Sequence, residues 1–60
     1  MTNKEMAQSV VKHLENIKAE GWVMAQALDK YHLEKTYQLI KNNSNISQDE
    51  LVEKLNLEVW

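Results

Sequence analysis

The chain almost lacks the residues that interrupt helices and form tight turns. Its 60 residues contain no proline and a single glycine, Gly21. Because sheets need turns rich in glycine and proline, this composition favours helices joined by short connections. There is also no cysteine, so no disulfide compensates for the small core of so short a chain. We expect one all-α domain over residues 1–60.

Two capping boxes predict where helices begin. In Thr2-Asn3-Lys4-Glu5 the Thr2 hydroxyl accepts from the Glu5 amide, and Glu5 reaches back to the Thr2 amide. Residues 47–50, Ser-Gln-Asp-Glu, repeat the pattern. Gly21 takes a left-handed, helix-ending conformation without steric cost, so the first helix is expected to end near Glu20. Three helices follow, over about 3–20, 22–42 and 47–58.

The middle helix carries apolar residues on two nearly opposite faces. At 100° per residue one face comprises Met24, Ala27, Leu28 and Tyr31. The other comprises Trp22, Leu33, Tyr37 and Ile40. Such a helix is either buried on both sides or broken near Tyr31-His32.

A second interpretation is one long coiled-coil helix that runs through Gly21. Its heptad seam would be Ala7, Val10, Leu14, Ile17, Gly21, Met24, Leu28 and Tyr31. A glycine at a seam position costs about 1 kcal/mol in helix propensity and offers no side chain to pack. We therefore favour the hairpin of separate helices.

The sequence gives little support for catalysis. His13 and His32 are nineteen residues apart, and neither has a second histidine or a cysteine at i+3 or i+4. Carboxylates such as Glu15 and Glu20 are typical of solvated helix faces, and so short a chain does not readily enclose a substrate. We expect no catalytic residue, no metal and no cofactor.

Residues 37–57 resemble the first two helices of a winged-helix or helix-turn-helix DNA-binding domain of bacterial regulators. The resemblance covers about a third of the chain and implies that Leu39 and Ile40 lie on the first helix and that Ile46 packs at the loop. It further implies a second helix built on Leu51, Val52 and Leu55, with Asn56-Leu57 leading into its turn.

Nucleic-acid binding is the alternative function. A turn at Asp29-Lys30 would make residues 33–41 a reading helix, with the DNA-binding residues Lys30, His32, Lys35 and Lys41. The whole chain, however, has a net charge of −2 and no arginine, the usual residue for phosphate and guanine contacts. Residues 47–60 carry four acidic residues and one lysine, Lys54. Phosphates would repel this net negative charge.

Aromatic residues indicate a protein partner instead. Tryptophan and tyrosine anchor interfaces at low entropy cost, and one apolar face of the middle helix suffices for the core. We expect the other face to bind a second copy of the chain, another protein, or both. The predicted partner-binding residues are Trp22, Leu33, Tyr37, Ile40 and Trp60.

The functional expectation is a small non-enzymatic regulatory protein, a homodimer that modulates a transcription or replication component. Its alternative is a helix-turn-helix DNA-binding transcription regulator. The N-terminal residues lack a secretion-signal pattern and no apolar run is long enough to span a membrane, so we expect the cytoplasm and no membrane contact. The lysine- and asparagine-rich composition indicates an AT-rich source, such as a low-GC bacterium, its phage or its plasmid.

Overall fold

The computed structural model describes residues 2–58, which form four helices and no strand. These are α1 (Asn3–Asn16), α2 (Gly21–Ala27), α3 (Leu33–Asn42) and α4 (Gln48–Leu55). The all-helical prediction is confirmed, and the predicted count of three is wrong because the middle helix is divided. Within the described range, no helix has the length and apolar character needed to cross a membrane.

Both predicted helix starts carry the expected cap. The Glu5 amide donates to the Thr2 hydroxyl oxygen at 3.2 Å, and the Glu50 amide donates to the Ser47 hydroxyl oxygen at 3.3 Å. The return contact at α1 differs from the capping-box prediction, because the Glu5 carboxylate accepts from the Thr2 hydroxyl, also at 3.2 Å. Hydrogen bonds between residues close in the sequence therefore define both helix starts.

The end of α1 corrects the prediction made for Gly21. The chain turns at Lys18, whose φ is 55°, so α1 ends at Asn16 and not near Glu20. The Ala19 amide donates to the Leu14 carbonyl at 2.9 Å and the Lys18 amide to the Glu15 carbonyl at 3.1 Å, which is a Schellman motif. Gly21 has no positive φ and is the first residue of α2. The continuous coiled-coil helix is therefore absent.

A second Schellman motif ends α4. Asn56 adopts φ 56°, and the Leu57 amide donates to the Val52 carbonyl at 3.0 Å. The predicted helix over 47–58 accordingly stops at Leu55. Asparagine tolerates the left-handed region better than most residues, and the turn directs Leu57 back into the core.

The break between α2 and α3 resolves the conflict between the two apolar faces. Residues 28–32 form turns, so the predicted helix over 22–42 becomes two helices. A straight helix would expose one face to water, whereas the break lets Val23 and Ala27 of α2 and Leu33 of α3 enter the same core. Burial of apolar area thus outweighs the loss of a few helical hydrogen bonds.

The four helices enclose one core. Helix α1 packs on α3 and α2, α4 packs on α3 and α2, and α2 and α3 touch only marginally. The buried apolar residues are Val10, Leu14, Val23, Ala27, Leu33, Ile46, Leu51, Leu55 and Leu57.

Three buried polar side chains join the core, and each has a partner. His13 Nε2 donates to the Ile46 carbonyl at 2.9 Å, and the Thr36 hydroxyl donates to the His32 carbonyl at 2.7 Å. Gln26 bonds the backbone of Glu58. Over residues 2–58 no buried side-chain polar atom lacks a partner, and the hydrogen bonds of His13 and Gln26 join distant parts of the chain.

Glycine at the left-handed position 18 and alanine at position 21 should each stabilise the fold. Lys18→Gly relieves a left-handed backbone, and we expect a gain of about 0.5–1 kcal/mol after the added freedom of the unfolded chain is subtracted. A Cβ on Gly21 meets no atom within 4 Å, so Gly21→Ala should also stabilise. Thermal unfolding by circular dichroism tests both variants, and a lower melting temperature for Lys18→Gly would contradict the assigned helix end.

Candidate protein-binding site

The turn between α2 and α3 is held in one conformation by hydrogen bonds to two carbonyls. The Gln26 carbonyl accepts from the Asp29 amide and from His32 Nδ1, each at 3.1 Å. The Asp29 carbonyl in turn accepts from the amides of His32 at 2.9 Å and Leu33 at 2.8 Å. His32 therefore caps the end of α2 with its side chain and opens α3 with its backbone, which fixes the turn without glycine or proline.

The tip of this turn, Lys30 and Tyr31, projects a large aromatic ring into solvent. Tyr31 is 79% exposed, although the sequence pattern placed it on an apolar face of a helix. The Lys30 ammonium lies 5.2 Å from the centre of its ring, within cation–π range. The tip thus presents an aromatic surface and a positive charge together.

A half-open cleft lies beside the tip. Its volume is about 320 Å³, and it is lined by Ala25, Gln26, Asp29 and His32. The Asp29 side chain is exposed, and His32 Nδ1 donates to the Gln26 carbonyl. The cleft therefore offers the carboxylate of Asp29 as a hydrogen-bond acceptor beside the small side chain of Ala25.

Gln26 connects the cleft to the C-terminal segment. Its side-chain amide donates to the Glu58 carbonyl, and its side-chain oxygen accepts from the Glu58 amide at 3.3 Å. Gln26 is only 9% exposed, and both the nitrogen and the oxygen of its side-chain amide are hydrogen-bonded. Gln26 therefore holds the chain beyond α4 against α2.

A second polar cluster lies at the start of α2. The Glu20 carboxylate accepts from the Trp22 indole and from the Gln48 side-chain amide, both at 3.0 Å, while the Glu20 amide donates to Gln48 Oε1 at 2.7 Å. These two side-chain hydrogen bonds, that from Trp22 first, lower the pKa of the Glu20 carboxyl. Gln48 therefore joins the first residue of α4 to the N-terminal end of α2.

The predicted partner-binding residues that the structure describes lie on two helices. Trp22 lies on α2, and Leu33, Tyr37 and Ile40 form a stripe on α3 that is directed toward the core. Leu33 is only 8% exposed, while the other three are partly buried and packed against the core. Trp60 lies outside the described residues.

The predicted DNA-binding residues are divided between the turn and α3. Lys30 is at the tip, and His32 is engaged in the cap of α2. Lys35 and Lys41 lie on the exposed side of α3, which also carries Glu34 and Gln38. The lysines are exposed, but an acid lies among them.

Sequence reasoning missed Tyr31 as the exposed aromatic and Gln26 and Gln48 as cross-links. The available signal was the conflict of apolar faces at Tyr31-His32, which indicated a break there. The glutamines gave no signal, because their partners lie 32 and 28 residues away in the chain.

Among the residues with described positions, no group of three or more His, Cys, Asp or Glu side chains is placed to hold a metal ion.

Comparisons with known protein families, with curated proteins and with solved structures give no match.

The Glu20 cluster predicts a defined pH dependence. Because the folded pKa is lowered, this group contributes stability above its ordinary pKa of 4.5, and the contribution is lost as the pH falls through the lower folded value. Urea unfolding across the acid range should show this loss in the native protein. Glu20→Gln keeps an acceptor oxygen but does not titrate, so identical pH profiles for the two proteins would refute the linkage.

Proposed function

We propose that this chain is a small non-enzymatic regulatory protein of the cytoplasm that binds another protein and associates as a homodimer. The partner class we favour is a component of the transcription or replication machinery. The resemblance of residues 37–57 to bacterial regulators supports that choice. Self-association agrees with the small core that so short a chain can bury.

The observation that carries the proposal is the exposed ring of Tyr31. A tyrosine buries a large area on binding while losing few rotamers, which is why it is enriched at interface centres. The turn is already fixed by the two carbonyls of Gln26 and Asp29, so little conformational entropy remains to be lost when a partner binds. The adjacent cleft gives that partner a concave surface beside the anchor.

The residues nominated by sequence then have supporting roles. Trp22, Tyr37 and Ile40 each keep part of their surface accessible and would extend a contact area outward from the core. Leu33 follows the turn directly and is buried, so it would hold the tip in place from below.

The test is a comparison of Tyr31→Ala with the native protein. Pull-down from the native host followed by mass spectrometry identifies candidate partners, and calorimetry with each purified candidate measures affinity. We expect Tyr31→Ala to weaken binding at least ~10-fold, as for an interface anchor, with an unchanged melting temperature. Tyr37→Ala tests the other tyrosine, and it should lower the melting temperature because Tyr37 packs against the core. Equal affinity for Tyr31→Ala and native protein would contradict the assigned anchor.

DNA binding is the second candidate function, and the exposed side of α3 favours it. Lys35, Gln38 and Lys41 lie on one side of a helix whose opposite side packs on the core, and Lys30 is exposed in the turn before this helix. Helix-turn-helix proteins present their reading helix in this way. The marginal contact between α2 and α3 and the nearby Glu34 weigh against it.

A mobility-shift assay decides between the two candidates. If DNA is the ligand, binding should fall steeply as salt rises and should be lost in Lys35→Glu. Gln38→Glu adds a negative charge on the same side of α3 and serves as the companion variant. The protein-binding proposal predicts no shift at physiological salt for any of the three proteins.

A further inference from the structure

The outer flank of α1 carries an apolar strip with opposite charges at its two ends. A shallow groove of about 420 Å³ lies on it and is lined by Lys4, Ala7, Gln8, Val11, Lys12 and Glu15. Ala7 and Val11 keep part of their surface exposed and form its apolar centre. Lys4 and Glu15 are exposed and lie eleven residues apart, or about 16 Å along the helix axis.

This order of charges makes the flank complementary to itself when one copy is reversed. Consider two antiparallel α1 helices related by a two-fold axis that crosses them at the level between residues 9 and 10. Lys4 of one chain then lies opposite the partner's Glu15. Gln8 then lies opposite the partner's Val11, and Ala7 lies opposite the aliphatic part of the partner's Lys12. A parallel arrangement would instead place Lys4 against Lys4 and Glu15 against Glu15, which is repulsive.

We propose that this flank of α1 is the homodimer interface, occupied by the same flank of a second copy in antiparallel orientation. Two-fold symmetry repeats each pair, so the Lys4–Glu15 contact forms at both ends of the apolar centre. The inference rests on the dimer of the proposed function and assigns it a surface. That surface is distinct from the Tyr31 tip, which stays free for a different protein.

The size of the flank sets the strength of the dimer. One pair of three-turn to four-turn helices buries less than the roughly 1,200–2,000 Å² of a stable interface. The dimer therefore exchanges rapidly and is populated at high protein concentration. Its end contacts are exposed ion pairs, so its dissociation constant should rise with added salt.

Charge reversal tests the register directly. We would measure sedimentation equilibrium of the native protein, Lys4→Glu, Glu15→Lys and the double variant over roughly 10 µM to 1 mM protein, the range in which weak association is detectable. Each single variant brings like charges together at both ends of the interface. We expect its dissociation constant to rise about 10-fold and that of the double variant to return near the native value.

The substitutions do not weaken the helix on which they lie. Lys4 is in the first turn of α1 and Glu15 in the last, so both reversals place charges where the helix dipole favours them. Circular dichroism should therefore show unchanged or greater helicity. Asn16→Lys also adds positive charge near the same helix end but away from the groove, and it should leave the association unchanged.

A second pair of variants tests the apolar centre. Val11→Asp introduces a charge at the centre of the proposed contact and should abolish the dimer, whereas Ser9→Asp, on the far side of α1, should not. A native protein that stays monomeric at 1 mM overturns the proposed interface and the dimer with it. A native dimer that is indifferent to the charge reversals overturns only the α1 interface. Neither result affects partner binding through Tyr31.

Discussion

The left-handed turn at Lys18 sets the path of the chain. It ends α1 at Asn16 and redirects the backbone within four residues, so that Glu20, the residue before α2, lies beside the first residue of α4. If α1 continued to Gly21, Gln48 and Glu20 could not form their hydrogen bonds and Val23 would leave the core. A residue in an unfavourable conformation is tolerated because the packing that follows from it is worth more than its strain.

Local chemistry predicted the starts of α1 and α4, and long-range packing decided the helix ends. Thr2 and Ser47 bond amides three residues away, so their caps depend on sequence alone. A lysine at position 18 does not indicate a left-handed turn. The helix end was predicted next to Gly21, where the turn does not occur. The apolar pattern did indicate that the middle helix is broken near His32, as one of two solutions.

The candidate site was harder to predict than the fold, because a helical wheel applies only to an unbroken helix. A helical wheel that treats residues 22–42 as one unbroken helix places Tyr31 among apolar residues and puts Trp22 on the same face as Leu33. The turn changes both relations, so that Tyr31 is exposed and Leu33 is buried. The His32 side chain stabilises the broken form, since its Nδ1 donates to the Gln26 carbonyl, which in a continuous helix would accept from the Lys30 amide.

The contacts of the last part of the chain make it resemble a ligand bound to the rest. Ile46, Gln48 and Glu58 each bond a residue of α1 or α2 or the segment between them, at separations of 28–33 residues. Residues 46–58 also supply a large share of the core through Ile46, Leu51, Leu55 and Leu57. A chain cut in the exposed loop around Ser44 would therefore yield two pieces that are each short of a core, and these pieces should reassemble on mixing, as complementing fragments do.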